Sequence, residues 1–124
     1  MLHFTNRDEE KMTVLIMTGV TALVRATAVR MEEKGVLYPA EKIAPLLRSA
    51  DITHISNEIP FAQNCPPPRM NQKELVFCSD LRYIRLLEEV GTDVVELTGN
   101  HFEDYGPEAT RQTVAMYDQR GWLH

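Results

Sequence analysis

The sequence has few cysteines, no excess of positive charge and no long apolar run. Its 13 Lys and Arg residues are outnumbered by 18 Asp and Glu residues, and the resulting net charge of −5 argues against a nucleic-acid backbone as partner. The apolar run at residues 14–17 is far shorter than the ~20 residues that span a bilayer. Residues 1–10 are polar and lack the apolar core of a signal peptide. These absences predict a soluble chain with no membrane segment and no visible targeting signal, and they leave its localisation open.

The two cysteines, Cys65 and Cys78, flank a loop rich in Pro, Asn, Gln and Arg. The C-x₂-C spacing of a zinc knuckle is absent. A disulfide that closes the loop and a pair of free thiols both remain open, since a sequence does not reveal its redox compartment. Of the two alternatives, we prefer free thiols.

The composition is that of an ordinary globular protein. With 124 residues, 44% hydrophobic and 25% charged, the chain has the length of one domain of ~100–200 residues and excludes a disordered, collagen-like or coiled-coil protein. We expect a polar N-terminal segment at residues 1–11 and one domain over residues 12–124.

Short apolar runs alternate with helical patterns along the chain. Residues 12–18, 52–56 and 93–98 predict strands, and residues 75–78 predict a short extended segment. Helices are predicted at residues 22–34, 39–49, 80–90 and 108–120, with Thr21 and Ser79 as N-caps of the first and third, and Pro45 as a kink or restart in the second. Strands separated by helices predict an α/β fold with a mostly parallel sheet flanked by helices.

A turn that is a candidate ligand site follows each of the three predicted strands, at residues 19–20, 57–58 and 99–101. The carboxyl ends of parallel strands meet at one edge of a sheet, where ligands collect. The polar side chains in these turns are those of Asn57, Glu58, Asn100 and His101. A carboxylate, two carboxamides and an imidazole predict a cation site or a phosphate pocket.

The residues around these turns resemble a known family. Ala50-Asp51-Ile52 precedes Asn57-Glu58, and residues 91–106 read Gly-Thr-Asp-Val-Val-Glu-Leu-Thr-Gly-Asn-His-Phe-Glu-Asp-Tyr-Gly. This combination, above all Asn-His-x-x-Asp-Tyr-Gly after a Val-rich strand, is similar to the CapA-type proteins of poly-γ-glutamate (capsule) biosynthesis. The resemblance extends over residues 13–122.

The resemblance implies both a fold and a chemistry. CapA-type proteins are similar in fold to calcineurin-like metallophosphoesterases, so this chain is expected to form the N-terminal half of an α/β/β/α fold. The implied activity of the complete protein is metal-dependent hydrolysis of a phosphoester, with Mn, Zn or Mg as cofactor. The implied roles are metal ligation by Glu58 and Asn100, catalysis by His101 beside the reacting oxygen, and bracing of the loop by Asp104.

Val20 departs from the family pattern, in which the first strand ordinarily ends in Gly-Asp and the aspartate binds metal. Because an isopropyl group cannot coordinate a cation, we expect no complete two-metal centre in this chain. A non-catalytic domain that binds an anion or polymer is therefore the alternative function. Arg25, one turn into the next helix, can place a positive charge at this edge and bind an anion together with Asn57; the alternative is a solvated helix arginine.

The family domain is longer than this chain, so a missing C-terminal half or a second copy is the expected partner. A three-stranded sheet has two unpaired edges, and here one of its faces also lacks a covering layer. Exposed apolar surface favours association, and we predict a two-fold dimer. The strand residues expected to face solvent are Val14, Ile16, Val94 and Leu97.

Overall fold

The computed structural model describes residues 8–124, and the predicted polar segment at residues 1–11 lies mostly outside this part. Three parallel strands form one sheet in the order β1-β2-β3. They are β1 Leu15–Val20, β2 Ile52–Ser56 and β3 Val94–Glu96. The α-helices are α1 Arg25–Lys34, α2 Ala44–Leu47, α3 Ile84–Glu89 and α4 Gly106–Asp118, and 3₁₀ turns lie at Glu9–Lys11, Tyr38–Ala40 and Leu81–Tyr83. The predicted α/β class is confirmed. Within residues 8–124, no helix is both long and apolar enough to cross a membrane.

The strands are joined in register, with a bulge near the carboxyl end of β1. Leu15 is paired with Ile52 and Met17 with His54, and the register then shifts before Val20. At the bulge the Thr18 hydroxyl accepts a hydrogen bond from the Ser56 N–H at 3.3 Å. A hydroxyl in the ladder thus satisfies a backbone donor that the bulge would otherwise leave unpaired.

At the amino edge of the sheet, the residues that precede β2 and β3 are aspartates whose carboxylates accept backbone hydrogen bonds. Asp51 Oδ2 accepts from the Val14 N–H at 2.7 Å, and Asp93 Oδ2 accepts from the Thr53 N–H at 2.8 Å. Beyond β3, Leu123 forms an isolated parallel bridge with Val94. The aspartates of the recognised motif at these positions therefore organise the backbone far from the carboxyl edge.

The helices cover one face of the sheet and leave the other open. On the covered face Thr53, Ile55 and Val95 are buried, and Ile55 and Val95 join a core cluster with residues of the helices. On the open face Leu15 is 52% exposed and Met17 is 61% exposed. Side chains alternate along a strand, and the expectation for two residues was therefore wrong. Val14 is exposed as expected, but Ile16 and Leu97 pack against the core.

The first three predicted helices are shorter in the structure, and the fourth begins two residues earlier at the same length. Helix 39–49 is a 3₁₀ turn followed by α2, with Pro45 in the first turn of α2, as expected of a restart. Thr21 and Ser79 are not the N-caps. Val24 precedes α1 without a side-chain cap, and the Ser79 hydroxyl instead donates to the Leu23 carbonyl at 3.1 Å. Asp80 caps the 3₁₀ turn before α3 by accepting from the Arg82 N–H at 2.8 Å.

Cys65 and Cys78 form a disulfide, so the preference for free thiols was wrong. The two ends of the loop are brought together by backbone hydrogen bonds from the Ala62 N–H to the Ser79 carbonyl and from the Ser79 N–H to the Pro60 carbonyl. Residues 75–78, predicted as a short extended segment, form no strand, and the adjacent Ser79 makes an isolated bridge to Phe61. We call residues 65–78 the disulfide loop below.

Candidate functional site

Glu58 lies directly against the turn that follows β3. The half-buried Glu58 follows the carboxyl end of β2, and Gly99 follows that of β3. A Cβ at position 99 would overlap the Cβ of Glu58 and lie 2.9 Å from its Cα. Only a glycine lets the two turns approach this closely. The carboxylate of Glu58 is thereby held beside the turn that carries Asn100 and His101, as the parallel-sheet argument predicted.

His101 and Asp104 form the best-defined polar pair at this edge. His101 Nδ1 lies 2.7 Å from Asp104 Oδ2, and their side chains are only 18% and 15% exposed. The same Asp104 oxygen accepts a hydrogen bond from the Phe77 N–H at 2.8 Å. An acceptor at Nδ1 selects the tautomer in which Nδ1 carries the proton and Nε2 has a free lone pair. Asp104 thus occupies the position of a brace that joins the turn to the disulfide loop.

Phe77 connects the histidine to the first helix. Its buried ring lies edge-on to the His101 ring at 4.8 Å between centroids, and the Arg25 guanidinium lies over it at 4.9 Å. Arg25 is the first residue of α1. The structure therefore places the predicted anion-binding Arg25 against the same aromatic ring as the predicted catalytic His101.

Asn57 is fully buried and makes no contact with the polar edge through its amide group. Its Nδ2 donates to the Ile59 carbonyl at 3.1 Å and to the Tyr117 hydroxyl at 2.8 Å. Burial raises the pKa of Tyr117 to about 12, although the hydrogen bond from Asn57 opposes the shift. Because no part of Asn57 is accessible to solvent, an anion cannot reach it, and the structure corrects this assignment. Asn57 ties the end of β2 to α4 instead.

The predicted metal ligands form an incomplete set. Asn100 is exposed and Glu58 is half-buried, while Val20 at the end of β1 is 61% exposed and provides no donor atom. Among residues 8–124, no three His, Cys, Asp or Glu side chains are grouped closely enough to hold a metal ion. The donors that this chain contributes therefore do not fit a two-metal centre.

Two residues of the site were not assigned roles from the sequence, namely Phe77 and Gly99. Phe77 is 27 positions from its hydrogen-bond partner Asp104, so no local pattern indicates the contact. Gly99 belongs to the recognised turn, but the need for glycine there becomes apparent only from the position of Glu58. The one available signal for Phe77 was its place beside Cys78.

Comparison with known proteins links these features to capsule synthesis. The model of the family described as bacterial capsule synthesis protein PGA_cap matches residues 14–124. The chain is 23% identical over 115 residues to the capsule biosynthesis protein CapA of Bacillus anthracis. That alignment covers 92% of this chain but 28% of the relative. The chain thus spans less than a third of the length of this curated relative.

Proposed function

Since the chain belongs to the bacterial capsule synthesis (PGA_cap) family, we propose that it forms part of an acid–base hydrolytic site used in the synthesis of a capsule polymer such as poly-γ-glutamate. In this proposal the site hydrolyses a phosphoester or related bond. The observation that carries this proposal is the His101–Asp104 pair at 2.7 Å, set at the edge where Glu58 meets Gly99.

The proposed chemistry of His101 follows from its hydrogen bond. With Nδ1 held by Asp104, Nε2 is the atom that accepts a proton from water or gives one to a leaving oxygen. The ring of Phe77 packs against the imidazole, which keeps Nε2 in a fixed direction. A positioned acid–base group of this kind contributes ~10²–10⁴-fold to a rate. In this proposal the Asn100 amide N–H donates to a substrate oxygen, and the Glu58 carboxylate accepts a hydrogen bond from the attacking water.

No step is assigned to a metal. Mn, Zn or Mg would supply Lewis-acid activation of a phosphoryl oxygen in a metallophosphoesterase. Glu58 and Asn100 are two oxygen donors, and Val20 stands where a third ligand is expected. A two-metal centre therefore requires ligands beyond those that residues 8–124 bring together at this edge.

A non-catalytic domain that binds an anion or a polymer is the second candidate, and Val20 favours it. A hydrocarbon side chain at the end of β1, 61% exposed, removes a ligand while leaving the fold intact. In this alternative the same edge binds a polymer carboxylate without turnover.

The proposal is tested by measuring how fast the protein hydrolyses a chromogenic phosphodiester in the presence of Mn²⁺. The variants are His101→Asn and Asp104→Asn, and the matched control is His54→Asn, which changes a histidine on β2 away from this edge. We expect His101→Asn to lower kcat at least 100-fold and His54→Asn to retain the wild-type rate. Asp104→Asn should lower kcat less and shift the pH profile.

Two results would contradict the proposed hydrolytic activity. A folded wild-type protein that shows no turnover with Mn²⁺, Zn²⁺ or Mg²⁺, yet binds oligo-γ-glutamate, supports the non-catalytic candidate. Equal losses in His101→Asn and His54→Asn would assign the effect to folding, and then His101 has no special role.

A further inference from the structure

A groove of about 660 Å³ lies between helix α1 and the disulfide loop, next to the proposed hydrolytic site. Apolar side chains form part of its walls, with Val29 on the helix side and Pro66, Pro67, Pro68 and Val76 on the loop side, and seven charged side chains line it as well. Its size is that of sites for small molecules, which range over ~300–1,000 Å³. Glu58, Asn100 and His101 do not line it. It is therefore a separate candidate site.

Three arginines line the groove, and two of them are already paired. Arg69 contacts Glu74 at 3.1 Å, and Arg82 contacts Asp80 at 3.0 Å and Glu32 at 2.8 Å. Arg25 makes no ion pair with any of residues 8–124, and its Nε is buried without a hydrogen-bond partner. A buried donor left unpaired is costly in a native protein. The free positive charge of the groove is that of Arg25.

The backbone at Arg25 is also unusual. Its φ is +49°, and it is the one non-glycine residue with positive φ within residues 8–124. This conformation is unfavourable for a residue with a Cβ and persists only where the surroundings impose it. The guanidinium is held over the Phe77 ring. The helix start thus holds an unpaired, oriented cation at one end of the groove.

We propose that the groove binds a small amphipathic monocarboxylate, with its carboxylate on Arg25 and its apolar body along the prolines. The two Nη groups of Arg25 are not buried and have no partner within residues 8–124, and a planar guanidinium held over an aromatic ring matches a carboxylate through them. Glu32, Glu33, Glu74 and Asp80 line the same groove, and the chain carries a net charge of −5. These acids repel a dianion more than a monoanion, so the carboxylate is favoured over a phosphate monoester.

Titration calorimetry of the 124-residue chain with acetate, butyrate, hexanoate and octanoate tests the proposal. Each methylene that enters the groove is expected to tighten binding about fourfold. Arg25→Gln should weaken octanoate binding at least tenfold, Arg25→Lys less, and the matched control Arg111→Gln, on α4 outside the groove, by less than twofold. Hexyl phosphate at pH 8 should bind more weakly than hexanoate.

Amide and methyl NMR spectra locate the ligand independently of the variants, so a misfolded Arg25→Gln chain does not end the test. Octanoate should shift the methyl signals of Val29 and Val76 and leave the Glu58 amide unchanged. Absence of saturable binding up to 10 mM octanoate, an affinity that does not depend on chain length, or shifts confined to other surfaces would each overturn the proposal. Tighter binding of hexyl phosphate would overturn the assignment of a monocarboxylate. None of these results depends on hydrolytic activity, so the proposed function is tested separately.

Discussion

The two halves of the sheet differ in burial, in packing and in the polar groups at their carboxyl edge. The β2–β3 half is buried on its helix side, is tied to α4 through Asn57 and Tyr117, and presents Glu58 beside Gly99 at its carboxyl edge. The β1 half is an edge strand in which Met17 and Val20 are each 61% exposed. Substitutions in the first half must therefore displace packed atoms, whereas those in the second meet solvent. The polar site is built where the backbone is most constrained.

The strongest test of this difference is a pair of glycine substitutions. Gly99→Ala places a Cβ against the Glu58 backbone, and we expect a loss of more than about 3 kcal/mol of the free energy of unfolding, or displacement of the turn. Gly19→Ala in β1 has no atom within 4 Å of the new Cβ and should change stability by less than about 0.5 kcal/mol. Urea denaturation measures both. Similar effects of the two substitutions would remove the proposed asymmetry.

The disulfide loop contributes next to the stability of the β2–β3 half. Cys65 and Cys78 are 13 residues apart, and loss of the bond should cost roughly 2–3 kcal/mol, mostly by freeing the unfolded chain. The double variant Cys65→Ser/Cys78→Ser should also broaden the His101 signals in NMR spectra, because Phe77 next to Cys78 packs on that ring. Reducing agent should lower the urea midpoint of the wild type and leave that of the double variant unchanged. A wild type insensitive to reduction would contradict this role.

High pH should destabilise the buried half through its tyrosines. Burial raises the pKa of Tyr117 from 10.0 to about 12, so the folded state binds this proton more tightly than the unfolded state. The resulting stabilisation is complete below pH 10 and is lost as pH rises towards 12, by about 2 kcal/mol. Burial and the hydrogen bond to Glu32 also raise the pKa of Tyr83, which acts in the same direction.

The substitution Tyr117→Phe separates the contribution of Tyr117 to the loss of stability at high pH from that of Tyr83. It should cost about 1 kcal/mol at neutral pH, because Asn57 loses one acceptor, and it should reduce the loss between pH 10 and 12. An unchanged slope over that interval, followed by thermal unfolding, would show that Tyr117 does not titrate with folding.

Substitutions on the open face of the β1 half should change self-association more than they change stability. Its open face includes Leu15 and Met17, and exposed apolar side chains of this kind favour self-association. We expect a two-fold dimer by light scattering coupled to gel filtration. Met17→Glu should shift it towards the 14.2 kDa monomer, whereas Leu75→Glu, in the disulfide loop and 66% exposed, should not. A monomer at all concentrations in the wild type would exclude the dimer.

The smallest expected effect on stability is that of Val20→Asp. Because Val20 is exposed, the free energy of unfolding should change by less than about 0.5 kcal/mol. The new carboxylate should strengthen Mn²⁺ binding at least tenfold in calorimetry, and the control Val20→Asn should do so less. We expect the wild-type chain to hold at most one weakly bound ion. Two Mn²⁺ ions ~3.5–4 Å apart in wild-type crystals would contradict this expectation.

The sequence by itself determined the features that depend on short stretches of chain. Short apolar runs and glycine stops predicted the three strands and most helices to within a few residues, because these signals act between neighbouring positions. The parallel order placed Glu58 and the turn at residues 99–101 at one edge, where the structure has them. The motif in that turn was also enough to indicate the family that the comparisons support.

The tertiary structure alone decided the contacts between distant positions. The Cys65–Cys78 bond, the hydrogen bond of Phe77 to Asp104 and the burial of Asn57 against Tyr117 each depend on how loops cross over the sheet. Such contacts form because buried polar groups must find partners wherever the folded chain places them. A residue at the end of a strand therefore becomes part of the site, as Glu58 does, or part of the core, as Asn57 does, according to which side of the sheet its side chain faces.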